Sequence, residues 1–233
     1  MNILAIGAHP DDIELSCAGT LLKYARQGHT ISILHACTGD KGDFVTPPDK
    51  LARIRVAEAA RSGARNGFSV ECLGFPDAGI FYNEDNLGLF VDTMRKYSPD
   101  IIFTHNPEDY HLDHIAVSKL VTDASFLLTV PHYRPHSGYC ENSPLLYYFE
   151  PYGGFGFVPT DFVDISDLIE EKIEMMKCHE SQLVWMKEHD HVDILDYILT
   201  FGKHHGYQCG AGYAEAFRRY FGALRASAGN ILP

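Results

Sequence analysis

Short apolar runs alternating with helical patterns constrain the fold of this chain more than any other feature. Ile3 to Gly7 is a continuous apolar run, as expected for a strand buried on both faces. From Ile13 to Gln27 the residues Leu15, Ala18, Leu21, Leu22 and Ala25 recur at helical spacing, and Gly28 supplies a stop. The same reading predicts strands at Thr30 to Ala36, Ser69 to Leu73 and Ile101 to Thr104. It predicts helices at Asp49 to Ala64, Asn86 to Tyr97 and Ile115 to Leu128. Strands spaced by helices of this length imply right-handed crossovers and an α/β, Rossmann-like three-layer fold with a mostly parallel sheet. Beyond Thr129 the pattern loosens. Leu145 to Phe149 and Asp161 to Ile165 predict further strands, and Asp167 to Cys178 and Val192 to Lys203 predict helices. With no repeat or flexible linker, a single domain spanning residues 1–233 is expected.

Composition narrows the class of partner. Thirty-one acidic against nineteen basic residues give a formal charge of -12, which repels phosphate backbones and anionic headgroups. Neither nucleic acid nor a membrane is therefore expected as a partner. No apolar run approaches the roughly 20 residues a bilayer requires, and the N-terminus lacks the cationic start of a signal peptide. Six scattered cysteines without a C-x-x-C pair predict reduced thiols in a cytoplasmic protein.

The residues directly after the first and fourth predicted strands are polar and clustered. The first strand runs into Ala8-His9-Pro10-Asp11-Asp12, where Pro10 stiffens the turn. His9 and Asp12 offer an imidazole and a carboxylate three positions apart, and Asp11 must point elsewhere. Helix capping accounts for one aspartate, but not for both plus the histidine. The fourth strand ends at Thr104-His105-Asn106-Pro107, followed by Glu108-Asp109-Tyr110-His111-Leu112-Asp113-His114. Alone this reads as a solvated loop. In a parallel sheet both loops lie on one rim and can converge on a cation. Two imidazoles and one carboxylate suit Zn²⁺ with an open position for water, and a nearby unligated carboxylate such as Asp11 can take the water's proton.

At these residues the chain resembles the PIG-L/LmbE-like zinc-dependent N-deacetylases. Their A-H-P-D-D turn stands here as Ala8 to Asp12, and their H-x-D-H motif as His111 to His114. Thr38-Gly39, Arg55-x-x-Glu58, Gly74-Phe75-Pro76-Asp77, Thr104 to Pro107 and His179-x-Ser181-Gln182 match as well. The ending Tyr213-Ala214-Glu215-Ala216-Phe217 resembles a bacterial subgroup that includes bacillithiol-type deacetylases. The resemblance implies that His9, Asp12 and His114 hold Zn²⁺, with Fe²⁺ an alternative in cells. It implies Asp11 as general base, and His111 as electrostatic or general-acid group oriented by Asp113. Arg55 and Asp77 match positions that bind the sugar part of the substrate. It also implies an N-acetylated small molecule, an amino sugar, as substrate, and a homo-oligomer. One departure stands out: Leu15-Ser16-Cys17-Ala18-Gly19 replaces a stretch that is often glycine-rich.

The expected activity is therefore removal of an acetyl group from the amine of an N-acetylglucosamine derivative. Two other readings stay open. A mononuclear iron(II) oxygenase uses the same two-histidine, one-carboxylate set. A non-catalytic sugar- or nucleotide-binding module is weakened by the absence of G-x-G-x-x-G and Walker motifs. His132, His136, His189, His191, His204 and His205 lack a partner motif and are expected at the surface or satisfied in place.

Overall fold

The computed structural model describes residues 1–222 and 232–233. The chain opens with β1 (Asn2–Gly7), α1 (Asp12–Ser16), α2 (Ala18–Arg26), β2 (Thr30–Cys37), α3 (Pro48–Ala64) and β3 (Ser69–Phe75). There follow α4 (Glu84–Tyr97), β4 (Ile101–His105), α5 (Leu112–Leu127), β5 (Leu145–Phe149) and β6 (Asp161–Asp164). The described elements end with α6 (Ile169–Met176), α7 (Glu180–His189), α8 (Ile194–Cys209) and β7 (Ala214–Arg219).

The strands form one sheet in the order β3-β2-β1-β4-β5-β7-β6. The first five pair in parallel, and β7 runs antiparallel between β5 and β6. The α/β, mostly parallel architecture is thus as the alternation implied. Successive side chains of β1 point to opposite faces. Ile3 and Ala5 enter one hydrophobic core with Leu21, Phe103 and Met175, whereas Leu4 and Ile6 enter another with Phe90, Val117 and Leu120. Two cores, one per face, explain why β1 and β4 are continuously apolar instead of alternating. The chain order reverses between β1 and β4. That crevice, beyond the C-terminal strand ends, is where open α/β sheets bind ligands.

The periodicity from Ile13 to Gln27 does not form one helix. It breaks at Cys17, whose φ is -142°, and restarts as α2. The free amides of the restart find an acceptor far along the chain. Glu215 of β7 accepts from the Gly19 amide at 2.9 Å, the Thr20 amide at 2.7 Å and the Thr20 hydroxyl at 2.6 Å. Lys172 of α6 neutralises the same carboxylate at 2.5 Å. Gly19 fits because a Cβ there would come within 2.8 Å of the Ile165 side chain. Three further differences lie in the second half. α7 and β7 form where no element was expected, and α8 continues past Lys203 to Cys209 before Gly210 ends it with a φ of 79°. No helix among the described residues is long and apolar enough to cross a membrane.

Candidate active site

The loop after β1 is tied down on both sides. The Ala8 carbonyl accepts from the Cys37 amide at 2.7 Å, and the Ala8 amide donates to His105 Nε2 at 2.9 Å. Asp12 Oδ2 accepts from the His9 amide at 2.6 Å. Between them Asp11 takes a φ of 127°, a conformation that costs a residue with a Cβ about 1–3 kcal/mol. Arg55 of α3 holds it there. Its Nη2 donates to the Pro10 carbonyl at 2.9 Å and to Asp11 Oδ1 at 3.1 Å, and Nη1 donates to the Gly39 carbonyl at 3.3 Å.

Two imidazole nitrogens and the two oxygens of one carboxylate, all from the two strand ends, face one another. His9 Nδ1 lies 3.3 Å from His114 Nε2 and 3.7 Å from Asp12 Oδ2, and His114 Nε2 lies 3.5 Å from Asp12 Oδ1. Ligands at 2.0–2.1 Å around a tetrahedral ion stand about 3.3–3.4 Å apart, which the two imidazole nitrogens match, with one Asp12 oxygen near each of them. The opposite nitrogen of each ring meets a carboxylate. His9 Nε2 is 3.1 Å from Asp113 Oδ2, and His114 Nδ1 is 3.2 Å from Asp109 Oδ2. Such partners fix the ring orientation and keep the inward lone pair free.

Among the described residues three other donor sets lie within 4.8 Å of one another: His9 with His111 and His114, His9 with Cys37 and Asp77, and Asp12 with His105 and His114. His105, which stacks on His114 at 4.0 Å, already spends its Nε2 lone pair on the Ala8 amide. Burial pushes its pKa down to about 4, so it stays neutral.

The adjacent aspartates are pushed apart. Burial raises Asp11 to about 6, with Arg55 pulling back and Asp12 adding to the rise. Asp12 is equally buried, yet the His114 and His105 imidazoles outweigh burial and hold its carboxyl well below the usual range. Neighbouring carboxylates separated in this way suit different roles, one ligand-like and one proton-accepting.

The resemblance implied that Asp113 orients His111, and here its carboxylate lies nearer to His9. Asp113 Oδ2 is 4.0 Å from His111 Nδ1 and sits instead on His9, where it also accepts from the Ala78 amide at 2.8 Å. α5 begins between the two residues, which turns Asp113 inward and leaves His111 as the N-cap. His111 Nδ1 accepts from the Asp113 amide at 3.2 Å. Its proton is therefore carried on Nε2. Burial, with the His114 and His9 rings, lowers the His111 pKa.

Arg55 and Asp77 both line the cavity, and most of their hydrogen bonding goes to the protein itself. Asp77 accepts from the Gly39 amide at 2.8 Å and the Lys41 amide at 3.1 Å, shaping the loop after β2. Among the histidines expected to be satisfied or exposed, His205 pairs with Glu150 at 2.8 Å, whereas His189 lines the cavity. The His179-x-Ser181 segment anchors α7. Ser181 donates its amide (3.0 Å) and hydroxyl (2.5 Å) to Glu58 of α3. His179 Nε2 lies 3.2 Å from Glu14 Oε1, which also accepts from Ser62 at 2.6 Å.

The family model for PIG-L, GlcNAc-PI de-N-acetylase, matches residues 4–125. The chain belongs to the PIG-L family. It is 28% identical over 232 residues to a diacetylchitobiose deacetylase of Thermococcus kodakarensis, covering 93% of this chain and 82% of that protein. It is 26% identical over 167 residues to a 1D-myo-inositol 2-acetamido-2-deoxy-alpha-D-glucopyranoside deacetylase of Streptomyces avermitilis, covering 59% of this chain and 57% of that relative. The fold of this PIG-L chain matches the N,N'-diacetylchitobiose deacetylase of Pyrococcus horikoshii with a TM-score of 0.82 at 23% identity, over 94% and 83% of the two chains. It also matches the 4-carboxy-2-hydroxymuconate hydratase of Pseudomonas putida KT2440 with a TM-score of 0.82 at 22% identity, over 98% and 100%. The fold alone therefore does not choose the reaction.

Proposed function

We propose that this PIG-L protein is a metal-dependent amidohydrolase that removes the acetyl group from the amine of an N-acetylglucosamine derivative. His9, Asp12 and His114 would hold the ion. The observation that carries the reading is the 3.3–3.7 Å spacing of the facing His9 and His114 nitrogens and the two Asp12 oxygens. Zn²⁺ is the ion this set and size suit best, with Fe²⁺ the alternative. When bound, the ion supplies Lewis acidity, polarising the amide carbonyl and acidifying water.

The remaining work falls to the chain's own groups. Asp11 Oδ1 is held by Arg55, which leaves Oδ2 to take a proton from the attacking water. His111 Nε2–H would donate a hydrogen bond to the carbonyl oxygen as charge develops there, and the proton taken by Asp11 would then pass to the departing amine as the C–N bond breaks. Arg55 and Asp77 border the sugar from the cavity wall. Asp11, poised beside the three ligands without being one of them, favours hydrolysis over the oxygenase reading, because an oxygenase needs no base at that point. The six free thiols support a reducing, cytoplasmic setting.

The test is acetate release from a panel of N-acetylglucosamine derivatives, measured after chelation and after restoring Zn²⁺ or Fe²⁺. Release that disappears with chelation and returns with one of the ions is expected. Undiminished release from metal-free protein would overturn the metal assignment. Absence of release from every derivative would overturn the substrate class.

A further inference from the structure

The metal donors stand mid-rim, after β1 and β4, and the cavity extends past them on both flanks. Asp77 follows β3 on one flank. Glu150 follows β5 on the other, one residue beyond Phe149, the register partner of His105. A secondary amide is planar and trans, so its amine and acyl substituents point in opposite directions from the carbonyl. With the sugar bordered by Arg55 and Asp77, the acyl group points toward the Glu150 flank.

The Glu150 side chain is held from behind. Its Oε2 lies 2.8 Å from Nε2 of His205, an α8 residue 5% exposed, and His205 Nδ1 lies 2.8 Å from Gln208 Oε1. Both ring nitrogens thus face oxygens, the pattern of an imidazolium donating twice. Burial opposes that charge, yet the Glu150 and Gln208 hydrogen bonds outweigh it and raise the His205 pKa. Glu150 Oε1 accepts no hydrogen bond from the described residues. The loop after β5 passes beside this oxygen without a side chain. At Gly154, φ 67°, a Cβ would come within 2.9 Å of Oε1. A pocket built for a methyl group alone has no use for a fixed, donorless carboxylate oxygen, which loses water when the site fills.

We propose that Glu150 is an acyl-specificity residue, positioned by His205, that accepts a hydrogen bond from a hydroxyl on the α-carbon of the acyl group. The substrate class widens accordingly to N-glycolyl amides of the same amino sugar. This rests on the amidohydrolase reading and concerns its acyl half. Water adds to the glycolyl carbonyl, the C–N bond breaks, and glycolate and the free amine leave. Propionyl has nearly the size of glycolyl, with a methyl where glycolyl has its hydroxyl. It leaves Oε1 desolvated without a donor, and sites that hydrogen-bond a substrate hydroxyl strongly reject analogues lacking it.

The test follows amine release by the Zn²⁺-loaded protein from methyl glycosides of N-acetyl-, N-glycolyl- and N-propionylglucosamine. The α-hydroxyl also activates the carbonyl chemically, an effect common to every variant. The readout is therefore the change in the glycolyl-to-propionyl ratio of kcat/KM, which is independent of the active fraction of a preparation. Glu150→Leu is expected to lower the ratio about tenfold or more. His205→Leu, which frees the carboxylate to turn, should lower it about threefold or more. His205→Gln, whose amide donates in place of Nε2, should restore most of it, which a merely structural role for His205 does not require. The two His205 variants keep the test decisive should Glu150→Leu fail to fold. Ratios within about twofold of wild type in Glu150→Leu or in His205→Leu overturn the proposal. Equal ratios in His205→Leu and His205→Gln overturn the positioning role. Hydrolysis of all three compounds with unchanged ratios sinks the acyl subsite and leaves the amidohydrolase reading standing. Hydrolysis of none overturns both.

Discussion

Arg55 and Asp11 form a buried ion pair, Nη2 to Oδ1 at 3.1 Å, at the one residue of the β1 turn that adopts a positive φ. The same Nη2 binds the Pro10 carbonyl at 2.9 Å. The guanidinium thus fixes both the backbone before Asp11 and the carboxylate itself. A strained backbone persists only where its surroundings over-determine it, and here α3 supplies the surroundings.

Asp11→Asn tests the role this clamp implies. The amide is nearly isosteric and leaves the triangle of His9, Asp12 and His114 intact. The variant is expected to keep full metal content while kcat falls about 10²–10⁴-fold, the usual loss for a general base. Metal analysis and saturation kinetics on one preparation decide it. Loss of metal in Asp11→Asn with retention in Asp12→Asn would exchange the two roles, and near-normal kcat would remove Asp11 from the chemistry.

His111 and Asp113 should separate in the same kind of experiment. Asp113 meets His9 Nε2 at 3.1 Å, so Asp113→Ala is expected to weaken metal binding about 10–100-fold, as losing the partner of a ligating histidine typically does. His111→Ala is expected to keep the metal and lose kcat. Competition with a chelator of known affinity measures the first, and steady-state rates at saturating metal measure the second. Equal metal affinity in wild type and Asp113→Ala would contradict the arrangement.

How much of this was legible in the sequence follows from the range of the interactions. The β1 and β4 ends were readable because a parallel sheet brings consecutive loops to one rim, whatever the details. The role of Asp113 toward His111 came from the resemblance, and a motif read along the chain does not display that the first turn of α5 brings the carboxylate to His9. His105 entered only as part of a matching stretch, because its tie to the Ala8 amide depends on β1 and β4 lying side by side. α7 depends on Ser181 finding Glu58, 123 residues away, so no local pattern announces it. β7 reads Ala-Glu-Ala-Phe-Arg-Arg, which lacks β-branched residues, and is a strand because β5 and β6 bracket it.

Acid stability should depend on Glu14. Burial opposes its ionisation, but His179, followed by His35 and the Ser62 hydroxyl, outweighs burial and lowers its pKa from 4.5 to about 2. A carboxylate with a depressed folded-state pKa contributes stability above its unfolded pKa and loses it as pH falls through the folded one. Glu14 therefore makes the fold weaken between about pH 4.5 and about pH 2. Glu14→Gln is expected to be less stable at neutral pH and to show a shallower loss across that window. Urea melts of both proteins at intervals from pH 5 to pH 3 check it. Parallel curves would mean that Glu14 does not carry the acid dependence.

The Glu215–Lys172 pair should set the stability of the break at Cys17. Both side chains are buried, and the Glu215 carboxylate also accepts from the amides of Gly19 and Thr20, which α2 leaves free by restarting there. Glu215→Ala strands the Lys172 ammonium in the interior and orphans those amides. Removing one member of a buried pair costs about 3–5 kcal/mol. In a domain of this size 1 kcal/mol moves Tm by about 2–4 °C, so a fall of roughly 6–20 °C is expected by calorimetry. Glu215→Gln keeps an acceptor for the helix amides and should fall less. The double variant Lys172→Met with Glu215→Gln removes the unpaired charge and should recover part of the loss, since a buried pair is often replaceable by apolar packing. If Glu215→Ala instead melts within 2 °C of wild type, the restart of α2 does not depend on Glu215, and the helix break has another cause.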